Sequence, residues 1–174
     1  MGLGFVKTSL LILLFCSSTL AQQQQRSNLV IKILDVSHSG VVSVDITNSS
    51  GSAIRLWDEA NSWGAARWRI LRIREAKLDT FFQNPHRKFT VNGPIFNELP
   101  AGGHARLTLD LNGGNWCFES ACSSFGEHGI GGNSIGFTPK DCVIVIYDVP
   151  LSYDPEARKL HAWDGVIAAL TTVR

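Results

Sequence analysis

Apolar and polar residues alternate with a period of two along much of this chain, the signature of half-buried β-strands. Val42, Val44 and Ile46 alternate with Ser43, Asp45 and Thr47. Ala105, Leu107, Leu109 and Leu111 alternate with Arg106, Thr108 and Asp110, the cleanest such run in the chain. Residues 28–36 are apolar around Lys32 and read as a first strand, and residues 53–57 resume the extended pattern after a turn cluster at 48–52. Residues 142–149 are apolar on both parities apart from Asp148, as expected of a central strand covered on both faces. Residues 87–91 read as a short strand and residues 164–173 as the last one. The one helical signal is Asp154-Pro155-Glu156, an N-cap, a proline at the first helical position and an early acid; it predicts one or two turns over 155–160.

Residues 66–74 pose a parity problem. Trp68 and Ile70 alternate with Arg67 and Arg69, and then Leu71 and Ile73 alternate with Arg72 and Arg74. Successive side chains on a strand point to opposite faces, so an unbroken strand would turn Arg72 and Arg74 inward. One extra residue near Ile70 or Leu71 removes the conflict. The pattern therefore predicts a β-bulge there, with Arg67, Arg69, Arg72 and Arg74 together on one outer face.

About seven strands at this spacing, separated by Gly- and Pro-containing turns, predict an all-β fold, an antiparallel β-sandwich or barrel. One segment interrupts the rhythm. Residues 112–141 hold seven glycines together with Trp116, Phe118, Phe125 and Phe137. A loop of that length in a compact domain is usually functional, and its four aromatics mark it as the candidate contact loop.

The first residues bear on compartment. Lys7 is the single charge before Arg26, residues 9–16 are apolar, and Thr19-Leu20-Ala21 ends the stretch with small residues at the cleavage positions. This is the composition of a secretory signal peptide over 1–21, leaving a polar leader at 22–27 and one β domain at 28–174. The apolar run is too short to span a bilayer, which takes roughly 20 residues, so no membrane insertion is expected. Removing Lys7 leaves the basic and acidic side chains equal in number, which gives no general attraction to nucleic acid. Cys16 departs with the leader, and Cys117, Cys122 and Cys142 remain. In an oxidising compartment one pair is expected to be bridged, Cys117 with Cys122 by proximity in sequence. Cys142 is then an odd thiol, or the alternative partner, and admits a disulfide-linked homodimer. Asn48-Ser49-Ser50 is a glycosylation sequon and predicts a solvent-facing turn.

Three segments carry a resemblance. The turn and strand LPAGGHARLTLDL resembles the stretch before the later strands of immunoglobulin-like and fibronectin-type sandwiches. The block 56–70, with Trp57, Asn61, Ser62, Trp63, Gly64 and Trp68, resembles a Trp-rich motif in modules of an uncharacterised extracytoplasmic family. YDVP followed by AWDGVI is similar to the last two strands of those modules. The resemblance implies an immunoglobulin-like sandwich and implies nothing about activity, since such sandwiches host many. The chain departs from it in the Gly-rich insertion and in lacking the Cys…Trp…Cys spacing of true immunoglobulin domains.

The candidate chemistry follows. Trp57 and Trp68 read as core, whereas Trp63 sits in a polar turn and can face outward. With Trp116, Phe118 and Phe125 it forms the expected contact surface for an extracellular protein partner. The stripe of Arg67, Arg69, Arg72 and Arg74 offers a second reading, a glycan or other anion. Cys117-x4-Cys122-x5-His128 with Glu119 and Glu127 contains metal-ligand residue types at a spacing foreign to zinc motifs, and a disulfide would consume the thiols. A small hydrolase centred on His128 and Glu127 is the opposing class, for which no nucleophile elbow, metal-binding helix or phosphate loop is found. The expectation is a secreted, non-enzymatic binding or structural module without cofactor or metal.

Overall fold

The computed structural model describes residues 28–59, 64, 66–83, 95–113, 116–118, 135–149, 159 and 162–174. Within them the chain is all-β. Ten strands run in order: β1 (Leu29–Val36), β2 (Val41–Asn48), β3 (Ile54–Trp57), β4 (Trp68–Arg74), β5 (Lys77–Gln83), β6 (Phe96–Leu99), β7 (His104–Asp110), β8 (Trp116–Phe118), β9 (Cys142–Val149) and β10 (Gly165–Thr172). They form a three-stranded sheet β1-β2-β7, a five-stranded sheet β10-β9-β4-β5-β8 and a two-stranded sheet β3-β6. Every strand pair is antiparallel.

The period-two runs become the inner faces. Val42, Val44 and Ile46 of β2 are completely or almost completely buried and lie opposite Leu109, Leu107 and Ala105 of β7. On the five-stranded sheet, Phe81, Ile70, Val145 and Ala169 lie abreast on β5, β4, β9 and β10. Apolar side chains from both larger sheets join in one core, as in a β-sandwich. Trp57 and Trp68 are core residues as expected, Trp57 against the Phe96 ring at 4.4 Å and Trp68 against Tyr147 at 4.7 Å. Burial of such apolar surface, at roughly 25 cal/mol per Å2, is the main drive for the two sheets to meet.

The expectation of a bulge in β4 is corrected. Strand β4 pairs without interruption with β5 from Arg69 to Arg74 and with β9 from Trp68 to Ile73, so it carries no bulge. The irregularity lies in β1, where the register shifts between Ile33 and Asp35. Leu34 is the extra residue and is exposed, and the shift returns Val36 to a position opposite the buried Val42.

Strand β5 has no counterpart in the sequence reading. It follows β4 through a two-residue turn at Glu75-Ala76, with Arg74 opposite Lys77. Both turn residues have positive φ, 50° and 66°, the geometry of a primed hairpin turn. That turn favours Asn-Gly, so Glu-Ala gave no turn signal. The strand expected at 87–91 lies outside the described residues, as does the helical turn at 155–160 apart from Lys159.

Gly40 is required where it stands. Its φ is +87°, and a Cβ there would come 2.2 Å from the Ile135 carbonyl oxygen. That close approach lets the end of the long loop lie against the β1–β2 turn.

The left-handed conformation of two non-glycine residues costs on the order of 1 kcal/mol each. Replacing Glu75-Ala76 with Asn-Gly is predicted to stabilise the fold by about 1 kcal/mol. Urea unfolding monitored by circular dichroism measures this, and an unchanged or lowered midpoint would refute the assignment of strain to this turn.

Candidate functional site

Unbroken β4 sends Arg72 and Arg74 to the same face as Trp68 and Ile70. The arginine stripe is therefore split between two faces. Arg67 precedes the strand and is buried, Arg69 points outward and pairs with Asp148 at 2.8 Å, and Arg72 and Arg74 point inward at the lower end of the sandwich. The expectation of four arginines on one outer face is thus corrected.

The inward arginines are held by acids and by a carbonyl. Arg72 donates from Nε and Nη2 to Asp79 Oδ2 at 3.0 and 2.6 Å, and from Nη1 to the Gly136 carbonyl at 2.6 Å. Its guanidinium also lies over the Phe81 ring, 5.4 Å from the centroid, within cation–π range. Arg74 grips Asp141 at both oxygens, 2.8 and 2.6 Å, and reaches the same Gly136 carbonyl at 3.1 Å. Asp141 further accepts from the Thr138 amide and hydroxyl. Oδ1 of Asp79 is buried, and its cationic neighbour Lys77 Nζ, at 3.4 Å, makes an ion-pair contact rather than a good hydrogen bond.

These contacts shift the acids. The Arg74 hydrogen bond lowers the Asp141 carboxyl to about 2, against burial that raises it and with help from Thr138. Burial also pulls Asp79 upward, but the hydrogen bond and charge of Arg72, with Lys77, outweigh it and keep the group below its ordinary value. Both arginines are consumed internally, which removes them from any glycan or anion surface.

The described parts of the Gly-rich loop are structural as well. Trp116 is buried and Phe118 packs its ring 5.5 Å from Phe81. On the return leg, Asn112 binds both the Ile135 amide (2.7 Å) and its carbonyl (3.1 Å), and His38 Nδ1 donates to the Phe137 carbonyl at 2.8 Å. Trp63, Phe125, Cys122, Glu127 and His128 lie outside the described residues. Among the described residues no cluster of metal-ligating side chains occurs.

Cys117 is disulfide-bonded and Cys142 is a buried thiol. They cannot pair with each other: β5 and β4 separate β8 from β9, three strand spacings or about 14 Å, and a disulfide needs Cα atoms within about 7 Å.

The sequon asparagine does not face solvent. Asn48 is completely buried, and its Nδ2 donates to the carbonyls of Ser52, Leu99 and Pro100 at 2.7, 3.0 and 3.0 Å. Its Oδ1 accepts from the Ser50 amide and hydroxyl. A sugar on Nδ2 would break all three donations, so this side chain is a clasp joining the β2–β3 and β6–β7 turns.

A polar cluster at the opposite end has the same character. Glu59 accepts from the Trp68 indole and, at 3.3 Å, from Gln83. Burial pushes the neighbouring Tyr147 phenol upward, and the Glu59 charge adds to this, so the phenol stays protonated at neutral pH.

What the described residues leave open to contact is the outer face of the five-stranded sheet. Leu78, Ile73, Cys142 and Thr172 lie abreast on it, then Thr80, Leu71, Ile144 and Leu170, then Phe82, Arg69, Ile146 and Ala168. Val166 and Asp148 complete the pattern. Leu78 and Val166 are 53% and 41% exposed, and the other large apolar side chains are half-buried. None of them belongs to the core or to the side chains packed against it. An antiparallel sheet with one solvated face ordinarily carries polar residues there, so this second apolar face is the candidate site. The sequence signal was present in residues 142–149, apolar on both parities.

No family model matches the chain, and no curated protein and no solved structure matches it either.

Two outcomes are expected. Asn48→Ala removes three hydrogen bonds made by a completely buried side chain, one of them to the buried Leu99 carbonyl, and is predicted to cost about 3 kcal/mol in urea unfolding, whereas an effect below about 1 kcal/mol would deny the clasp its role. Asp141 has its folded pKa depressed, so its contribution is complete above about pH 4 and is lost as pH falls towards about 2. Stability should drop by up to about 2 kcal/mol across that window. Asp141→Asn should be less stable at neutral pH and show a shallower acid dependence; parallel pH profiles for the two proteins would contradict this.

Proposed function

We propose that this chain is a secreted, non-enzymatic binding module whose contact surface is the outer face of the five-stranded sheet. The observation that carries the reading is the continuous apolar surface of Leu71, Ile73, Leu78, Phe82, Ile144, Ile146, Val166 and Leu170 outside the core. An apolar face of this kind suits a protein partner, because burying it releases water from both surfaces. A glycan would ask for polar groups in place of these aliphatic ones, and the arginines that supported that reading are tied to Asp79, Asp141 and Gly136. The contact loop expected at 112–141 shifts in role: its described ends hold the fold, while Phe125 and Trp63 lie outside the described residues and the reading does not need them.

The extracellular assignment rests on the leader at 1–21 and is supported by the disulfide at Cys117, a bond that persists in oxidising compartments. We assign its partner as Cys122, five residues away, with Cys142 left as the odd thiol. Kinship with immunoglobulin-like modules has the support of the two larger antiparallel sheets, which share one core with the two-stranded sheet, and of the three segments that carry the resemblance.

The reading is tested with an apolar probe. Folded protein should enhance the fluorescence of anilinonaphthalene sulfonate, and Leu71→Lys should reduce the enhancement several-fold while leaving the melting temperature within a few degrees. A folded protein that leaves the probe dark at concentrations where it sediments as a monomer would sink the proposal.

A further inference from the structure

The outer face has properties that choose among occupants. Within its four rows the charged side chains are Arg69 and Asp148, which pair at 2.8 Å; the exposed Lys140 and Arg174 lie beyond the row of Cys142 and Thr172. Those four rows therefore offer a charged partner no unpaired group, and they would not repel their own copy. A net-neutral, largely apolar sheet face can meet its own copy about a two-fold axis, and sheets pack face to face about 10 Å apart with their side chains interdigitated. Strand β10, at the sheet's edge, contains no charged residue and no proline over Gly165–Thr172. Those are the usual means by which a protein keeps a sheet edge from associating.

We infer that the occupant of this face is a second copy of the chain, packed face to face about a two-fold axis across β5, β4, β9 and β10. This deepens the binding-surface reading and rests on it. Four strands about 4.8 Å apart make the patch about 19 Å wide. The seven positions from Cys142 to Asp148 of β9 make it about 20 Å long at 3.4 Å per residue. Two such patches, with side-chain relief added to the projected area, bury on the order of 1,000 Å2 in total, the lower limit of specific interfaces. The dimer is consequently a weak one, with a dissociation constant on the order of micromolar. It needs no intermolecular disulfide, because the odd thiol Cys142 is only 8% exposed. This differs from the disulfide-linked homodimer that the cysteine count admits.

Sedimentation velocity on the full secreted chain, from sub-micromolar to about 100 μM with and without reductant, tests the inference. The expected result is a reductant-insensitive shift from one to two monomer masses over this range. Leu71→Lys, at the centre of the patch, and Leu78→Lys, at its exposed margin, should each weaken association at least tenfold. The margin variant guards against a folding defect in the central one, and equal melting temperatures verify that both fold. A reductant-sensitive dimer overturns the inference, as does a dimer that both variants leave intact. A monomer at every concentration that still brightens anilinonaphthalene sulfonate, with Leu71→Lys abolishing the effect, overturns the second copy but leaves the binding face standing. A monomer that leaves the probe dark overturns both.

Discussion

Two guanidinium groups on the inner face of β4 set the terms for the lower half of this molecule. Removing a charged group from water costs several kcal/mol unless its hydrogen bonds are replaced. Arg72 and Arg74 therefore dictate what must surround them: Asp79 from the neighbouring strand, Asp141 from the approach to β9, and the Gly136 carbonyl shared between them. Because both arginines reach Gly136, the return leg of the long loop has its path fixed at one backbone atom. Asn112 and His38 fix it again one residue to either side, at Ile135 and Phe137. A Gly-rich segment has high conformational entropy to lose, and it is ordered at this end by these polar bonds together with the burial of its own Ile135 and Phe137 in the core. Such a network is a poor source of net stability but a strong determinant of geometry, since breaking one partner leaves the other charge buried and unpaired.

The legible part of the fold was the part in which one face of a strand is apolar and the other polar. Strands β2 and β7 could be read to within a residue because Val42, Val44, Ile46 and Leu107, Leu109 alternate with polar side chains, and their inner faces are the core. Strand β5 could not, because Glu75-Ala76 adopts a turn that its residue types do not advertise and because Lys77–Gln83 alternates only loosely. The bulge was placed in β4 by assuming that arginines face outward. The assumption failed because Asp79, Asp141 and Gly136 come from other strands and loops, and no local pattern announces them. Asn48 failed for a related reason. The tripeptide 48–50 reads as a sequon, but the three carbonyls that bury the amide include two from residues about fifty positions later.

The candidate site was legible in part. Apolar residues on both parities of 142–149 predicted a central strand covered on both faces; the strand lies between two others, but only its Val143, Val145, Tyr147 and Val149 face belongs to the core. The aromatics of the loop drew attention because Trp and Phe are frequent contact residues, yet Trp116 and Phe118 serve the core. Trp and Phe are equally the residues with which a core fills its largest spaces, and composition alone does not separate the two uses. The outer face is made of Leu, Ile, Val and Phe from the β4–β5 hairpin and from β9 and β10 much later in the chain, and only the register brings them abreast.

The inner arginines and the outer aliphatics are two consequences of one choice of register. A single inserted residue near Leu71 would turn Leu71 and Ile73 inward and Arg72 and Arg74 outward, producing an ordinary sheet with an apolar inside and a charged outside. Bulges of that kind are available to this chain, since β1 uses one at Leu34 to bring Val36 back to the core. Strand β4 instead keeps an unbroken register, which costs the desolvation of Arg72 and part of that of Arg74, whose side chains are 14% and 35% exposed, and leaves Leu71, Ile73 and Leu78 on the outside. For a sheet whose outer face met only water, both costs would be uncompensated. Apposition of a second apolar surface offsets the outer one directly, by removing the aliphatic side chains from water. It also gives the inner one a reason, because only the unbroken register presents Leu71 abreast of Ile144 and Leu170, with Ile73 beside them, on one outer face.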